Sequence, residues 1–190
     1  MPLRVSFIIL VILCMTGSMA AQDIAVPIEV QYPLLLKVLT FDRNLKNRIG
    51  KEIVIGIVFQ SNFKASRKLK DRLERVIQDS PIKTVEGIPI KPVAIDLDKT
   101  NLNEMIKQQN VDILYIAPLR AYAIGQISDI SRNQKILTTT GVPDYVEAGL
   151  AVGVGLKGAK PELIINLPAV KNEGCDFSSQ LLKLAKVIMK

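Results

Sequence analysis

The chain has no histidine, no tryptophan, only two cysteines and few aromatic residues. Without histidine it has no Ser-His or Cys-His nucleophile, no imidazole metal ligand and no imidazole general base. Two cysteines are too few for a four-thiolate zinc or iron–sulfur centre. There is no internal repeat and no low-complexity linker, which excludes solenoids and linker-joined arrays. Long apolar runs are missing too. The longest, Val5 to Met15, is about 11 residues and is broken by Ser6, whereas a transmembrane helix needs about 20. These absences point away from an enzyme and from any bound cofactor, so none is expected.

What remains is ordinary globular material. The 190 residues are 48% hydrophobic and 23% charged, enough for one domain with a substantial core. Arg4, the short apolar run and the small-x-small sequence Ser18-Met19-Ala20 read as a secretory signal. The expectation is a cleaved signal peptide over 1–21 and a single exported α/β domain over 22–190, periplasmic and not membrane-spanning after cleavage. Leu13 before Cys14 does not fit a lipidation box. The net charge is +7, but export removes nucleic acid as a partner. Cys175 is then the one cysteine of the mature chain. It is either a buried, inert thiol or one half of an intermolecular disulfide across a homodimer.

The hydrophobic pattern alternates between strand and helix periods. Residues 22–27 read as a loose lead-in. A helix is expected over about 30–47, with Val30, Leu34, Val38, Phe41 and Leu45 at helical spacing and Pro33 either starting or kinking it. Strands follow at 51–59, 90–97, 111–117 and 135–140, each a β-branched run. Pro92 suggests an edge position for the second of these. Helices separate them: one after a Ser61 or Asn62 cap with Leu69, Leu73, Val76 and Ile77 inward, one opened by Asn101 and Glu104, and one over 121–133 carrying Ala123, Ile124, Ile127 and Ile130. Residues 149–156 and 162–167 read as an antiparallel hairpin. Ser178 or Ser179 caps a last amphipathic helix with Leu181, Leu184, Ala185 and Ile188 on one face. The fold class expected is α/β, a Rossmann-like and mostly parallel sheet flanked by helices, with a C-terminal antiparallel hairpin and closing helix.

Three constellations have bland readings. Gly149, Gly153, Gly155 and Gly158 lie in an apolar run leading to a strand, so they read as a twisted hairpin and not as a phosphate loop. Lys64, Arg67, Lys68, Lys70, Arg72 and Arg75 read as a solvated helix face, with anionic headgroups or an acidic loop as the functional alternative. Asp96 and Asp98 would share a face in a strand but have no nucleophile or metal partner beside them. One site follows from architecture, because open parallel sheets gather ligands at the carboxyl ends of their strands. Those ends carry Gln60, Ser61 and Asn62, then Asp96, Pro118 and Arg120, then Thr139, Thr140 and Gly141; of these Ser61, Asn62, Arg120, Thr139 and Thr140 are the expected ligand residues, a polar set with one guanidinium suited to an anionic solute.

The final fifty residues carry a resemblance. Glu147-Ala148-Gly149-Leu150-Ala151-Val152, then Leu163-Ile164-Ile165-Asn166-Leu167, then Phe177-Ser178-Ser179-Gln180-Leu181-Leu182-Lys183-Leu184-Ala185 is similar to the end of the YfiR/HmsC-like family. In that family a glycine strand and an Ile-Asn strand precede a Ser-Ser-x-Leu-Leu-x-Leu-Ala helix. Ala148 stands where the first glycine of a pair is usual, and the early Trp-Pro helix end is absent. The resemblance implies a non-enzymatic periplasmic regulator. Its partner would be the periplasmic part of an inner-membrane sensor or diguanylate cyclase, with consequences for cyclic di-GMP and biofilm. Gly149, Asn166, Ser178 and Lys183 mark the expected partner or dimer surface. The competing expectation is a periplasmic solute-binding component of a transporter.

Overall fold

The computed structural model describes residues 24–189. The expected signal segment lies outside these residues. Along the chain run α1 (Ile28–Leu39), α2 (Leu45–Arg48), β1 (Ile53–Phe59), α3 (Lys64–Asp79), β2 (Thr84–Val85), β3 (Ile88–Asp96), α4 (Leu102–Gln109) and β4 (Ile113–Ile116). The second half adds α5 (Ile124–Gln134), β5 (Leu137–Thr140), α6 (Pro143–Glu147), β6 (Val152–Lys157), β7 (Lys160–Asn166), α7 (Leu167–Asn172), α8 (Ser179–Leu184) and β8 (Lys186–Ile188).

The strands form one sheet in the order β2-β3-β1-β4-β5-β6-β7-β8. From β3 to β6 all neighbours are parallel, as helical crossovers require. The β6–β7 pair is antiparallel, and β8 returns parallel to β7. Every residue of β1, β4 and β5 is buried, because helices cover both sides. One face packs α1, α3, α7 and α8 through residues such as Tyr32, Leu36, Leu73, Val170 and Leu181. The other packs α4, α5 and α6 through Ile106, Ile127 and Tyr145. No helix among the described residues is long and apolar enough to cross a membrane.

The α/β sheet, its parallel core and the β6–β7 hairpin match the sequence expectation. Gly158, at φ +61, takes the first position of the two-residue hairpin turn, where a side chain would be strained. Pro92 sits on β3 beyond the reach of the short β2, where the outer edge is open. Asn101 caps α4 by accepting from the Glu104 N–H.

Several local expectations are corrected. The helix expected over 30–47 is two helices, and its buried stripe runs Ile28, Tyr32, Leu35, Leu36 and Leu39, leaving Val30 and Leu34 exposed. Pro33 lies inside α1, at the cost of the bond its N–H would have made to the Glu29 carbonyl. The lead-in is docked from Val26, which is buried and whose carbonyl accepts from Gln31 Nε2 at 2.6 Å. Phe63, without a side-chain bond, stands at the N-cap of α3, so neither Ser61 nor Asn62 caps it. Ala123 is exposed, because α5 begins one residue later. The closing helix stops at Leu184, which is exposed, and residues 186–188 extend the sheet along the otherwise open side of β7. Backbone pairing at that edge outweighs continuation of the amphipathic helix. The short helices α6 and α7 were not anticipated, although Pro143 and Pro168 each stand in a first turn, a position proline favours.

Candidate functional site at the strand ends

The parallel strands β1, β3 and β4 end side by side, and their loops form one rim. Its organiser is Gln60, just past β1. Gln60 Oε1 accepts from the Arg120 backbone N–H at 2.7 Å and Gln60 Nε2 donates to Asp98 Oδ1 at 3.4 Å, so one side chain ties three loops together. The Gln60 N–H donates to the buried Ser66 hydroxyl at 3.0 Å, fixing the loop to the first turn of α3.

Two carboxylates accept the rim's backbone N–H groups. The Ser61 N–H donates to Asp96 Oδ1 at 3.0 Å, and the Asn62 N–H donates to Asp98 Oδ2 at 2.7 Å. The Asp98 N–H also donates to Asp96 Oδ1, at 3.1 Å, closing a turn. Asp96 therefore ends β3 while Asp98 sits in the turn after it, and the two do not share a strand face as the spacing suggested. Burial works to raise the Asp96 carboxyl. Hydrogen bonds from Ser61, from the Ser61 and Asp98 backbone and from Lys99 outweigh it, and the pKa falls below the ordinary value. A carboxylate held in this way is a poor base, so the Ser61–Asp96 contact is a turn clamp and not a catalytic pair.

Of the expected ligand residues, Ser61, Asn62 and Arg120 meet on this rim. Asn62 and Arg120 are exposed, and the Arg120 guanidinium stacks 4.7 Å from the centre of the Phe63 ring. Arg67 Nη1 donates to the Ser61 carbonyl at 2.5 Å. Thr139 and Thr140 do not join them. Both are buried, and their hydroxyls donate to the Leu114 and Ile116 carbonyls of β4, each at 2.9 Å. The reason is their place inside a strand covered on both faces. The rim is thus a polar, internally satisfied surface with Asn62 and Arg120 projecting.

The expected partner residues also separate. Asn166 is buried. Its Oδ1 accepts from the Ala169 N–H at 3.1 Å to cap α7, and its Nδ2 donates to the Val146 carbonyl at 3.1 Å. Ser178 is half-buried and caps α8. Gly149, at φ +119, ends the turn after α6, and its carbonyl accepts from Ser128 and Arg132. Of these only Lys183 is exposed, beside exposed Leu184 and close in sequence to exposed Met189. Cys175 is a free, buried thiol, and burial, with Asp42 and Glu173 beside it, pushes its pKa far up. That environment suits an inert thiol and not an exposed disulfide partner.

Gln60 was expected among the strand-end residues, but its role of tying three loops together was not, and Phe63 and Ser66 were missed by sequence reasoning. The Asp-x-Asp at the end of a strand was the one available signal, as a turn former.

A family model described as YfiR/HmsC-like matches residues 49–186, which is most of the chain. No curated protein matches the sequence. Among solved structures, the chain resembles a conserved domain protein from Vibrio cholerae O1 biovar El Tor (14% identity, TM-score 0.54, 85% of this chain and 60% of that one). It also resembles an ABC domain in complex with L-Trp from Streptococcus pneumoniae (13% identity, TM-score 0.53, 80% and 61%). A ligand-free, open substrate-binding protein from Clostridium difficile with adhesive properties is similar as well (16% identity, TM-score 0.50, 76% and 57%). The chain spans about 60% of the length of these structures, and at such identities the likeness concerns the fold.

Proposed function

This chain belongs to the YfiR/HmsC-like family of periplasmic regulatory proteins, and from that premise we propose that it regulates an inner-membrane sensor by binding its periplasmic part. The family match across residues 49–186 is the observation that carries the reading. The mechanism is a shift of population. A protein that binds one conformation of a receptor's outer domain better than another favours that conformation in proportion to the difference in affinity. With a diguanylate cyclase as receptor, release would raise cyclic di-GMP and promote biofilm.

Two surfaces are offered for contact. One is the segment around Lys183, Leu184 and Met189, where exposed apolar side chains stand next to cations. The other is the strand-end rim with Ser61, Asn62 and Arg120. Pairing with a second copy through the exposed end of α8 around Lys183, beside its Ser178 cap, belongs to the same proposal; Gly149 sits against α5, away from that helix, and Asn166 acts beneath the surface as a cap.

Cross-linking in living cells through a photoreactive residue at position 183, followed by mass spectrometry of the adduct, tests the reading. A membrane sensor or cyclase in the adduct is the expected result. Adducts at neither position 183 nor position 120 with any membrane protein would overturn it. The solute-binding alternative draws on the likeness to a substrate-binding protein and to a domain holding L-Trp. A transporter subunit in the adduct would favour that reading.

A further inference from the structure

Arg120 stands in the loop after β4, exposed at the strand-end rim, with its guanidinium 4.7 Å from the centre of the Phe63 ring. Two carboxylates, Asp96 and Asp98, belong to the same rim, and the guanidinium is on neither. Asp96 is taken by the Ser61 N–H, the Asp98 N–H and Lys99, and Asp98 by the Asn62 N–H and Gln60 Nε2. The Arg120 side chain makes no hydrogen bond or ion pair among the described residues. Stacking on the ring therefore fixes its plane and leaves the whole fork of N–H donors free for an incoming acceptor.

The backbone beside it is strained. Among the described residues other than glycine, Glu86, Asn110, Ala121 and Lys135 have positive φ. Glu86 belongs to the turn between β2 and β3, and Asn110 and Lys135 end α4 and α5, places where the left-handed conformation has a structural use. Ala121, at φ +51, lies in a bend that no backbone hydrogen bond closes. A side chain at such a φ is costly, and strain of this kind collects at clamps and recognition sites whose surroundings hold it. Here the Arg120 N–H on Gln60 Oε1, at 2.7 Å, and the ring stack do the holding.

The surrounding charge selects an anion. Lys64 and Arg67, at the start of α3 after Phe63, are exposed and form no ion pair among the described residues. Arg67 gives one bond to the Ser61 carbonyl, and the acids further along that helix, Asp71 and Glu74, are bound by Lys70. Lys64, Arg67, Lys99 and Arg120 thus stand against two carboxylates that are already engaged, and a positive balance is left over. The first turn of α3 has no acidic residue and no side-chain cap, so the positive end of the helix adds to the same corner. A bilayer surface reads broad charge and would meet Asp96 and Asp98 as like charges. One guanidinium of fixed plane fits one carboxylate, taken through two parallel N–H bonds.

On the premise that this protein regulates a membrane sensor, we propose that the Arg120–Phe63 stack is the anchor for an acidic loop of that sensor's periplasmic part. One Asp or Glu carboxylate of the loop is gripped by the Arg120 fork, and Lys64 and Arg67 face the rest of its charge. The strained Ala121 holds the arginine ready, so little ordering remains to be done on binding.

A photoreactive residue at exposed position 62, in living cells, tests the anchor, with the adducted peptides read by mass spectrometry. The adduct is expected to join an inner-membrane sensor through a peptide that contains Asp or Glu. Arg120→Gln should lower its yield by about tenfold or more, and Arg120→Lys should lower it too, because lysine lacks the planar fork. Lys157→Gln, which removes an exposed cation from β6, three strands from β1, should leave the yield unchanged. Ala121→Gly should raise the melting temperature and yet lower the yield about threefold, because relief of the strain frees the arginine. The anchor is overturned if Arg120→Gln leaves the yield unchanged, if Lys157→Gln lowers it as much, or if the adduct at 62 is a lipid or a peptide without a carboxylate side chain. A sensor captured at 183 and not at 62 overturns the anchor and leaves the regulatory reading standing. No membrane protein captured at 62, 120 or 183 removes both.

Discussion

Two corners of this molecule are built from the same part, a carboxylate that accepts backbone N–H groups, and they differ in solvent. At the strand-end rim, Asp98 is exposed and holds the Asn62 N–H and Gln60 Nε2. Where α1 and α2 meet the turn after α7, Asp42 has no exposed side-chain surface. It accepts from the Asn44 N–H at 3.0 Å, the Asp176 N–H at 2.9 Å and Arg48 Nη2 at 2.9 Å. Glu173, fully buried in the same corner, accepts from the Thr138 N–H at 2.7 Å and the Thr138 hydroxyl at 2.8 Å, and that hydroxyl in turn accepts from the Ala151 N–H. A chain of polar contacts thus joins the turn after α7 to β5 and β6. The lesson is that the same chemistry serves two purposes. In the dry corner a carboxylate fixes tertiary structure, because its partners have no water to turn to. On the wet rim it shapes a loop that water would satisfy nearly as well.

Breaking Asp42 should have the largest effect. Asp42→Ala leaves the mostly buried Arg48 without its anion and two part-buried backbone donors without their acceptor, a loss of about 3 kcal/mol by analogy with broken buried pairs. Urea denaturation of the variant should show this as a lowered midpoint at unchanged slope. A change below about 1 kcal/mol would place Asp42 with the rim carboxylates and erase the contrast.

Much of this was legible in the sequence, and the boundary has a physical basis. Continuous β-branched runs at 53–59 and 113–116 announced buried parallel strands, because burial on both faces removes alternation. The hairpin was legible through Gly158 and the flanking apolar residues. The Asp42–Arg48–Glu173 corner was not. It joins residues about 130 positions apart, and a single acidic residue looks the same in sequence whether its partner is water or a backbone N–H across the fold. The candidate site was half legible: the strand-end rule found Ser61, Asn62 and Arg120. It could not tell that Thr139 and Thr140 would turn their hydroxyls onto a neighbouring strand, since that depends on what covers β5. The closing helix failed for a similar reason. Residues 186–188 have helical spacing and also fit a strand, and the open edge of β7, invisible in local sequence, decides between them.

The comparison sharpens when pH is changed, because the two corners respond in opposite directions. Burial pushes the Glu173 pKa up to about 8 from an ordinary value of 4.5, against the lowering effects of Thr138, Arg132 and Arg48. Between those values the folded chain holds a proton that the unfolded chain has released. This contribution is complete below about pH 4.5, declines as pH rises, and is gone above about pH 8. The loss within that window is at most about 1.4 kcal/mol for each pH unit. Glu173→Gln, which keeps an acceptor for Thr138 and has nothing to titrate, should flatten the dependence. Melting temperatures of both proteins from pH 5 to pH 9 test it, and parallel curves would remove Glu173 as the cause.

The rim should respond least, and at the other end of the scale. Asp96 has a pKa below its ordinary 3.8, so its contribution is present above that value and is lost as pH falls below it. At neutral pH the Asp96 carboxylate is charged and its part of the loop is held. Asp98→Ala should therefore cost less than about 1 kcal/mol at pH 7, since water replaces it on the Asn62 N–H and on Gln60. The informative readout is local. Amide hydrogen exchange at Asn62 should speed up in Asp98→Ala while exchange in β1, one residue beyond Gln60, stays as slow as in the wild type. If β1 loosens as well, the rim is part of the core, and Asn62 and Arg120 are held too rigidly to adapt to a partner. If only the loop loosens, the fold has kept a surface that can be remodelled without cost to the sheet beneath it, which is the property a contact surface for a membrane receptor requires.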